Sequence, residues 1–249
     1  MIGEQQLQVV LAAGGNPTGV ICYPDDRHRG RYGEEAKRHM AADPTIEQFG
    51  FLEGTTHLQM SGGEFCGNAA RVAALLISEQ TGRNEGTFTI SGYDGTVRYV
   101  VNGNLVRGEF PRYRYQRRPV KFQQIEATLV DLGGIVHVVL PPTVPFRNDK
   151  AYYQHLHGQA VQALALQDRA AVGMIWVEFR DPAVAIHPVV WVREIDSFFY
   201  ESSCGSGTLA TIIALDRPSL KIYQPSGQAI SAERYNSDTL AITSTITRR

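Results

Sequence analysis

Excess charge, long apolar runs and cysteine are all scarce in this 249-residue chain, and each scarcity narrows the range of functions. Lysine and arginine number 24 against 25 aspartates and glutamates, which gives a formal net charge of -1. A nearly neutral chain has no general electrostatic attraction for nucleic acid or for an anionic membrane. With 43% hydrophobic and 20% charged residues, the composition predicts a globular protein of one large domain or two smaller ones.

No apolar run approaches the roughly 20 residues that cross a bilayer. The first fifteen residues contain only the short run VVLAA, without a basic segment before it, so no targeting signal is indicated. The most basic cluster, RYRYQRRPVK at 112–121, is interpreted as a solvated linker ending at Pro119 rather than as an RNA-binding segment. We therefore expect a cytoplasmic protein with neither nucleic-acid nor membrane partners.

The three cysteines are too few for a disulfide framework, and their odd number leaves at least one thiol free. Cys22, inside TGVICYP, is interpreted as a small buried hydrophobe. Close CxxC pairs are missing, so no metal site is predicted. A disulfide between Cys66 and Cys204 stays geometrically open, and we would interpret it as an oxidised, inactive form.

Those last two cysteines lie in equivalent settings. SGGEFCGNAARVAALL (61–76) and ESSCGSGTLATIIAL (201–215) each place Cys-Gly directly before an apolar helical run. A strand-rich segment with a Ser-Gly turn follows each helix. The sequence thus predicts two α+β halves of similar plan, 1–116 and 117–249, with one such cysteine in each. The last strand, from 238 to 249, is expected to pair with either half.

Two thiols at helix starts suit one kind of chemistry. The unpaired N–H groups and the macrodipole at a helix N-terminus lower a thiol pKa and attract a carboxylate. A thiolate on one side of an amino acid removes the α-proton, while a thiol on the other side delivers one. Fixed dipoles stabilise the carbanion between these steps. This interpretation needs neither pyridoxal phosphate nor any other cofactor, and no metal.

The two motifs resemble the paired catalytic motifs of the diaminopimelate epimerase family of cofactor-independent racemases. The resemblance extends over nearly the whole chain and includes GGNPTGV at 14–20. It implies an α+β fold of two pseudo-symmetric lobes, each a β-sheet wrapped around a central helix. The active site of the family lies between the lobes.

Carried over to this sequence, the resemblance makes Cys66 and Cys204 the catalytic acid and base. It implies that eight further residues bind the substrate: Asn16, His57, Gly67, Asn68, His137, Glu194, Gly205 and Ser206. The two residues after each cysteine seat the α-carboxylate, and His137 and Glu194 help to bind or position the substrate ammonium and the thiols. Three plainer interpretations stay open: a strand histidine for His137, a solvated strand end for Glu194, and a turn residue for Asn16.

Departures from the family pattern bear on the substrate. His57 stands where the epimerases carry an asparagine, and Ile195 stands where an arginine follows the glutamate. Without those groups the distal head of diaminopimelate would lack polar partners, which argues against it as substrate. The segments HLQMSGGEFCGNA, EIDSFFYESSCGSGT and YQPSGQAI resemble a narrower branch, the histidine racemases of staphylopine-type opine metallophore biosynthesis. That branch implies conversion of L-histidine to D-histidine, and we expect His57 and Trp176 to flank the imidazole.

Other functions stay open on the sequence alone. The same machinery suits a racemase of another amino acid, diaminopimelate included. Isomerases of the phenazine-biosynthesis type share a GNP segment near the N-terminus but do not rely on a cysteine pair. A non-catalytic amino-acid-binding protein or a thiol redox sensor is an alternative from a different class. The expected partner is a small-molecule amino acid, and whether the chain forms a homodimer is not decided.

Overall fold

The computed structural model describes residues 7–180, 183–235 and 238–249. Within them the chain forms sixteen β-strands and four α-helices. The strands are β1 (Gln8–Ala12), β2 (Gly15–Tyr23), β3 (Gln48–Glu53), β4 (His57–Met60), β5 (Glu85–Ile90), β6 (Val97–Asn102), β7 (Leu105–Phe110), β8 (Gln116–Phe122), β9 (Ile125–Asp131), β10 (Val136–Leu140), β11 (Ala171–Arg180), β12 (Ala183–Val192), β13 (Ser197–Tyr200), β14 (Ser219–Tyr223), β15 (Ala229–Tyr235) and β16 (Thr239–Arg248). The helices are α1 (Tyr32–Ala42), α2 (Gly67–Thr81), α3 (Lys150–Ala163) and α4 (Gly205–Ala214).

The fold is therefore mixed α/β. Among the described residues no helix is both long enough and apolar enough to cross a membrane. Strand positions follow the period-two pattern of the sequence, most clearly in β6, where Val97, Tyr99 and Val101 are buried and the residues between them are exposed.

The strands join into one hydrogen-bonded path. It runs in the order β1 to β7, then β16, β15, β14, β12, β11, β10, β9 and β8, with β13 paired to β12. β16 pairs antiparallel with β7 and β15, and its last residues also pair with β1. The first seven strands and β16 thereby close into a ring. The strand path runs without a break from the first half of the chain to the second, so it marks no domain boundary. The boundary between residues 116 and 117 therefore stays a prediction.

Two buried helices fill the space behind these strands. α2 contacts β1, β2 and β3 as well as β6, β7 and β16. α4 contacts β9 to β12 and β14 to β16, and it also touches α2. Both helices are buried on nearly all sides, as expected of a mostly apolar helix surrounded by other elements.

The predicted linker is wrong from residue 116 onward, and only residues 111–115 connect β7 to β8. The basic segment from residue 116 onward belongs to β8, an edge strand whose one pairing among the described residues is with β9. Its first four residues are exposed, and Pro119 is tolerated because an edge strand has one unpaired side. The basic side chains thus keep a strand edge polar rather than forming a flexible connection.

The N-terminal ends of α2 and α4 meet backbone to backbone at two glycines. A Cβ on Gly205 would lie 3.0 Å from the Asn68 nitrogen and 3.0 Å from the Gly67 carbonyl carbon. A Cβ on Gly67 would lie 2.7 Å from Ile242 Cδ1 on β16. The glycine after each cysteine is therefore required for the close approach of the two helices.

We expect Gly205→Ala to destabilise the fold by about 1–3 kcal/mol, because the added methyl group overpacks a backbone contact. The matched control is Gly158→Ala in α3, where a Cβ would meet nothing within 4 Å. This control should gain about 0.5–1 kcal/mol, since alanine is the better helix former. Urea unfolding midpoints measure both changes. Equal stability of Gly205→Ala and the parent chain would contradict the tight helix contact.

Candidate active site

Cys66 and Cys204 are the N-cap residues of α2 and α4. Both have extended backbone conformations, and both side chains accept a hydrogen bond from the helix. Ala69 N lies 3.4 Å from Cys66 Sγ, and Gly207 N lies 3.2 Å from Cys204 Sγ. Neither thiol is in a disulfide. The two sulfur atoms therefore occupy equivalent positions at two helix ends that touch.

Both thiols line one small enclosed cavity. Polar and small residues of its lining are Asn68, Gly205 and Ser206, and the apolar ones are Phe65, Ile135, Val190 and Val192. The cavity holds about 10 Å³, which is about the room that one water molecule needs. No amino acid fits in it, so a substrate has to enter an opened form of the site.

Two carboxyl groups that the cysteine motifs did not indicate line the same cavity. Glu64 and Glu201 are each 2% exposed. Gly62 N donates to Glu64 Oε2 at 3.0 Å, and Gln48 Nε2 donates to Glu201 Oε1 at 2.6 Å. Burial raises the pKa of Glu64 to about 7 and that of Glu201 to about 8. An acidic residue two or three positions before each cysteine was the available sequence signal.

The expected lowering of the thiol pKa values is wrong for this closed site. Burial, reinforced by the nearby Glu201 carboxylate, raises the pKa of Cys66 to about 12 and that of Cys204 well above its usual range. The helix N–H groups act in the opposite direction, but loss of hydration and negative charge outweigh them. Both thiols are therefore protonated at neutral pH in this closed site.

His137 reaches Cys204 through Ser206. The ring Nε2 lies 3.0 Å from Ser206 Oγ, which lies 3.6 Å from Cys204 Sγ. Burial lowers the pKa of His137 to about 3, so the ring is neutral at physiological pH. Its Nδ1 has no hydrogen-bond partner among the residues that the structure describes, and the ring packs against Gly173, whose missing side chain makes the space. His137 is thus a buried neighbour of the site, one residue removed from the thiol.

Asn16 takes a similar supporting place on the other side. Its backbone N donates to Ser202 Oγ at 2.7 Å, and its Nδ2 donates to Glu47 Oε2 at 3.3 Å. Glu47 also accepts from Ser202 Oγ at 2.6 Å. These contacts fix the segment that carries Glu201 to Cys204, so Asn16 positions the site without lining the cavity.

His57 and Glu194 lie outside the cavity that the thiols share. His57 is the first residue of β4, and its Nδ1 lies 2.7 Å from Thr89 Oγ1 on β5. Glu194 is exposed two residues after the end of β12 and lines a separate surface cleft with Arg29 and Ser61. Trp176 is buried in the second half of the chain and packs edge-on against Phe146. The structure therefore does not bring His57 and Trp176 together around one ligand.

The sequence of the chain is similar to those of known histidine racemases. A family model, the histidine racemase CntK N-terminal domain, matches residues 16–246. The chain belongs to this histidine racemase family. It is 29% identical over 195 residues to a histidine racemase from Fusobacterium nucleatum, covering 73% of this chain and 72% of the relative. A histidine racemase from Staphylococcus aureus is 26% identical over 222 residues, covering 81% and 78%.

Solved structures share the fold of this racemase-family chain. A predicted epimerase from Pseudomonas aeruginosa superposes with a TM-score of 0.64 at 12% identity, covering 99% of this chain and 97% of the other. A phenazine biosynthesis protein of the PhzF family from Enterococcus faecalis gives a TM-score of 0.56 at 16% identity, covering 97% and 95%. These matches assign an epimerase-type fold. At such identities they assign no substrate.

Glu201 should make the stability of the chain depend on pH. Its pKa is raised from 4.5 to about 8, so the folded state binds more protons than the unfolded state within that window. Stability therefore falls as pH rises from about 5 to 8. We expect Glu201→Gln to lose less stability over this range, with a difference on the order of 3 kcal/mol.

Urea unfolding at pH 5.5 and pH 8 tests this expectation. Glu194→Gln is the matched control, because that side chain is exposed, and it should show the pH dependence of the parent chain. Parallel curves for Glu201→Gln and the parent would show that Glu201 ionises as freely as a surface carboxylate.

Proposed function

We propose that this isomerase interconverts L-histidine and D-histidine by direct proton transfer between the substrate α-carbon and two thiols. The observation that carries the proposal is the pair of buried, unpaired N-cap cysteines on one cavity. Family membership supports histidine as the substrate class. No step requires pyridoxal phosphate or another cofactor.

The protons and charges balance in each turnover. Cys66 or Cys204, as the thiolate, takes the α-proton from one face and becomes a thiol. The opposite thiol gives its proton to the other face of the carbanion and becomes the thiolate. The product is the mirror image of the substrate, and the two cysteines have exchanged roles. The reverse reaction uses the same groups in the opposite order.

The substrate α-carboxylate fits the two helix ends. The first-turn N–H groups at Gly67, Asn68, Gly205 and Ser206 have no acceptors within their own helices. Their dipoles favour a carboxylate and, still more, the enolate-like charge that develops as the α-proton leaves. This preorganised stabilisation does the work that a cofactor would do in other racemases.

The substrate ammonium fits Glu64 and Glu201. At neutral pH these carboxyl groups are partly protonated, since burial raises their pKa values to about 7 and about 8. A bound ammonium favours their ionised form and cancels their charge, which removes part of the penalty on a nearby thiolate. Binding of the correct substrate thereby prepares the base.

The cavity is too small for histidine, so the proposal includes an opening motion. We assign it to the two halves, 1–116 and 117–249, moving as lobes in the manner that the resemblance to diaminopimelate epimerases implies. Closure then excludes water and strengthens every charge interaction in the site. Three unpaired cysteines support a reducing compartment, the cytoplasm, as the place of action.

The deciding measurement is proton NMR in D2O of the reduced protein with L-histidine, without added cofactor. We expect loss of the α-proton signal and formation of D-histidine on chiral chromatography. Cys66→Ser and Cys204→Ser should each lower racemisation by more than about 100-fold, because a serine hydroxyl is too weak an acid and base. Cys22→Ser is the matched control, since Cys22 lies outside the cavity, and it should racemise normally.

A panel with L,L-diaminopimelate and other amino acids completes the test. Turnover of a different amino acid would keep the two-thiol chemistry and replace the substrate. A Cys66→Ser variant that still racemises at the parent rate would rule out the two-base mechanism. Silence with every amino acid, with both thiols verified as free, would overturn the proposed function.

A further inference from the structure

Arg71 is a fully buried arginine one turn into α2, directly behind the thiol sites. Its side chain has no exposed surface. Nε donates to Gly67 O at 3.2 Å, and the two terminal nitrogens donate to Asn68 Oδ1 and to Ser244 Oγ on β16. The guanidinium therefore lies where α2 and β16 meet.

No carboxylate in the described part of the chain forms an ion pair with Arg71. Its neighbour on β7 is Gly108, where an added Cβ would lie 3.5 Å from the Arg71 side chain. Arg107 and Glu109 of the same strand point to the opposite face, where Arg107 pairs with Glu233. On β16 the contact is the neutral hydroxyl of Ser244. All three hydrogen-bond acceptors of Arg71 are uncharged.

An unpaired buried cation is an expensive feature. Removing a guanidinium from water costs several kcal/mol, and an apolar residue of similar volume is often neutral or stabilising in its place. A structural clamp between α2 and β16 does not need a charge. The buried charge is compensated only if an anion lies near it in the working enzyme. A thiolate at one of the two cysteines would be such an anion.

The two thiols are the ionisable groups that act on Arg71. Burial lowers the pKa of Arg71 to about 10, while Cys66 and Cys204 both act to raise it. Arg71 thus stays charged at neutral pH. Glu201 opposes ionisation of both thiols, and Glu64 opposes that of Cys66. Glu47 lies behind Glu201, and His137, which is neutral, lies behind Ser206.

We propose that Arg71 is the fixed counter-ion of the catalytic thiolate as the negative charge alternates between Cys66 and Cys204. This inference rests on the proposed two-thiol racemisation. That mechanism holds one thiolate at a time, so a single buried cation near both helix ends balances either state. The same guanidinium fixes the Asn68 amide, whose Nδ2 donates to Ser203 O at 2.9 Å. Arg71 acts through the thiols and Asn68 and does not itself contact the substrate.

Three variants separate the charge of Arg71 from its packing. Arg71→Met removes the charge and keeps an unbranched apolar stem, so the buried site stays filled. Arg71→Lys keeps the charge and loses the planar fork. Ser244→Ala removes one hydrogen-bond partner and leaves the charge untouched. Thermal unfolding and circular dichroism verify that each variant is folded before its activity is measured.

The readouts are the pH profile of kcat/KM for histidine and, without substrate, the rate at which iodoacetamide alkylates Cys66 and Cys204 at fixed pH, followed separately from the more exposed Cys22 by mass spectrometry. For Arg71→Met we expect the acid limb of the profile to move up by about one pH unit or more, and alkylation at pH 8 to slow about tenfold or more, because loss of a nearby opposite charge raises thiol pKa values. kcat should fall more than KM changes. Arg71→Lys should keep the parent midpoint and alkylation rate, as should Ser244→Ala.

Two outcomes would overturn the inference. One is an unchanged pH midpoint and alkylation rate in folded Arg71→Met. The other is an equal loss of kcat/KM and of alkylation rate in Arg71→Lys and Arg71→Met, which would make Arg71 a packing residue. The alkylation measurement needs no turnover. If the parent chain racemises no amino acid, the proposed function fails while the alkylation rates still decide whether Arg71 stabilises a thiolate.

Discussion

The backbone contact between Gly67 and Gly205 is the constraint on which the rest of the site depends. It allows two helix N-termini to meet where any side chain would hold them apart. Because each cysteine is the N-cap directly before its glycine, the contact also fixes both thiols on one cavity. The remaining fold encloses this pair. β16 passes beside the junction and joins the strand path of the first seven strands to that of the last, so the closed ring and the active site share one element.

The electrostatics of the site oppose ionisation until a substrate arrives. Burial raises the pKa of both thiols in the closed site, and ionised Glu201 would raise them further. In the proposed mechanism the substrate ammonium pairs with the carboxyl groups and the substrate carboxylate binds at the helix ends, so the substrate brings the charges that the site lacks. In that proposal one thiol gives its proton to solvent as the substrate binds, and closure leaves the thiolate where water is excluded and where it is a strong base. The reactive thiolate thereby forms only when the correct ligand is bound. It is not exposed to solvent, where a free thiolate would be oxidised.

The sequence predicted those features that depend on local pattern. A Cys-Gly pair before an apolar run specifies an N-cap and a buried helix, and both were found at α2 and α4. Features that depend on tertiary placement were not predicted. Glu64 and Glu201 look like ordinary acidic residues until the fold buries them, and the thiol pKa values moved in the opposite direction for the same reason. The position of Glu194 before the second cysteine motif predicted a substrate-binding residue. In the structure β12 ends at Val192, and Glu194 is exposed beyond it. The basic segment 112–121 looked like a linker because an edge strand pairs on one side only.

The two thiols are placed alike but do not have like neighbours. Cys204 lies beside Ser206, with His137 behind it, whereas the residue equivalent to Ser206 is Asn68, whose amide is occupied by Arg71 and Ser203. A racemase tolerates such asymmetry because its substrate and product are mirror images of equal free energy. The ratio of kcat/KM in the two directions is therefore fixed at one, whatever the protein does. Unequal neighbours can only change how each direction divides its barrier between binding and proton transfer. Selection on the rate thus constrains the shared features, namely the two helix ends, the two sulfur atoms and one counter-charge, and leaves the flanking residues of each half free to differ.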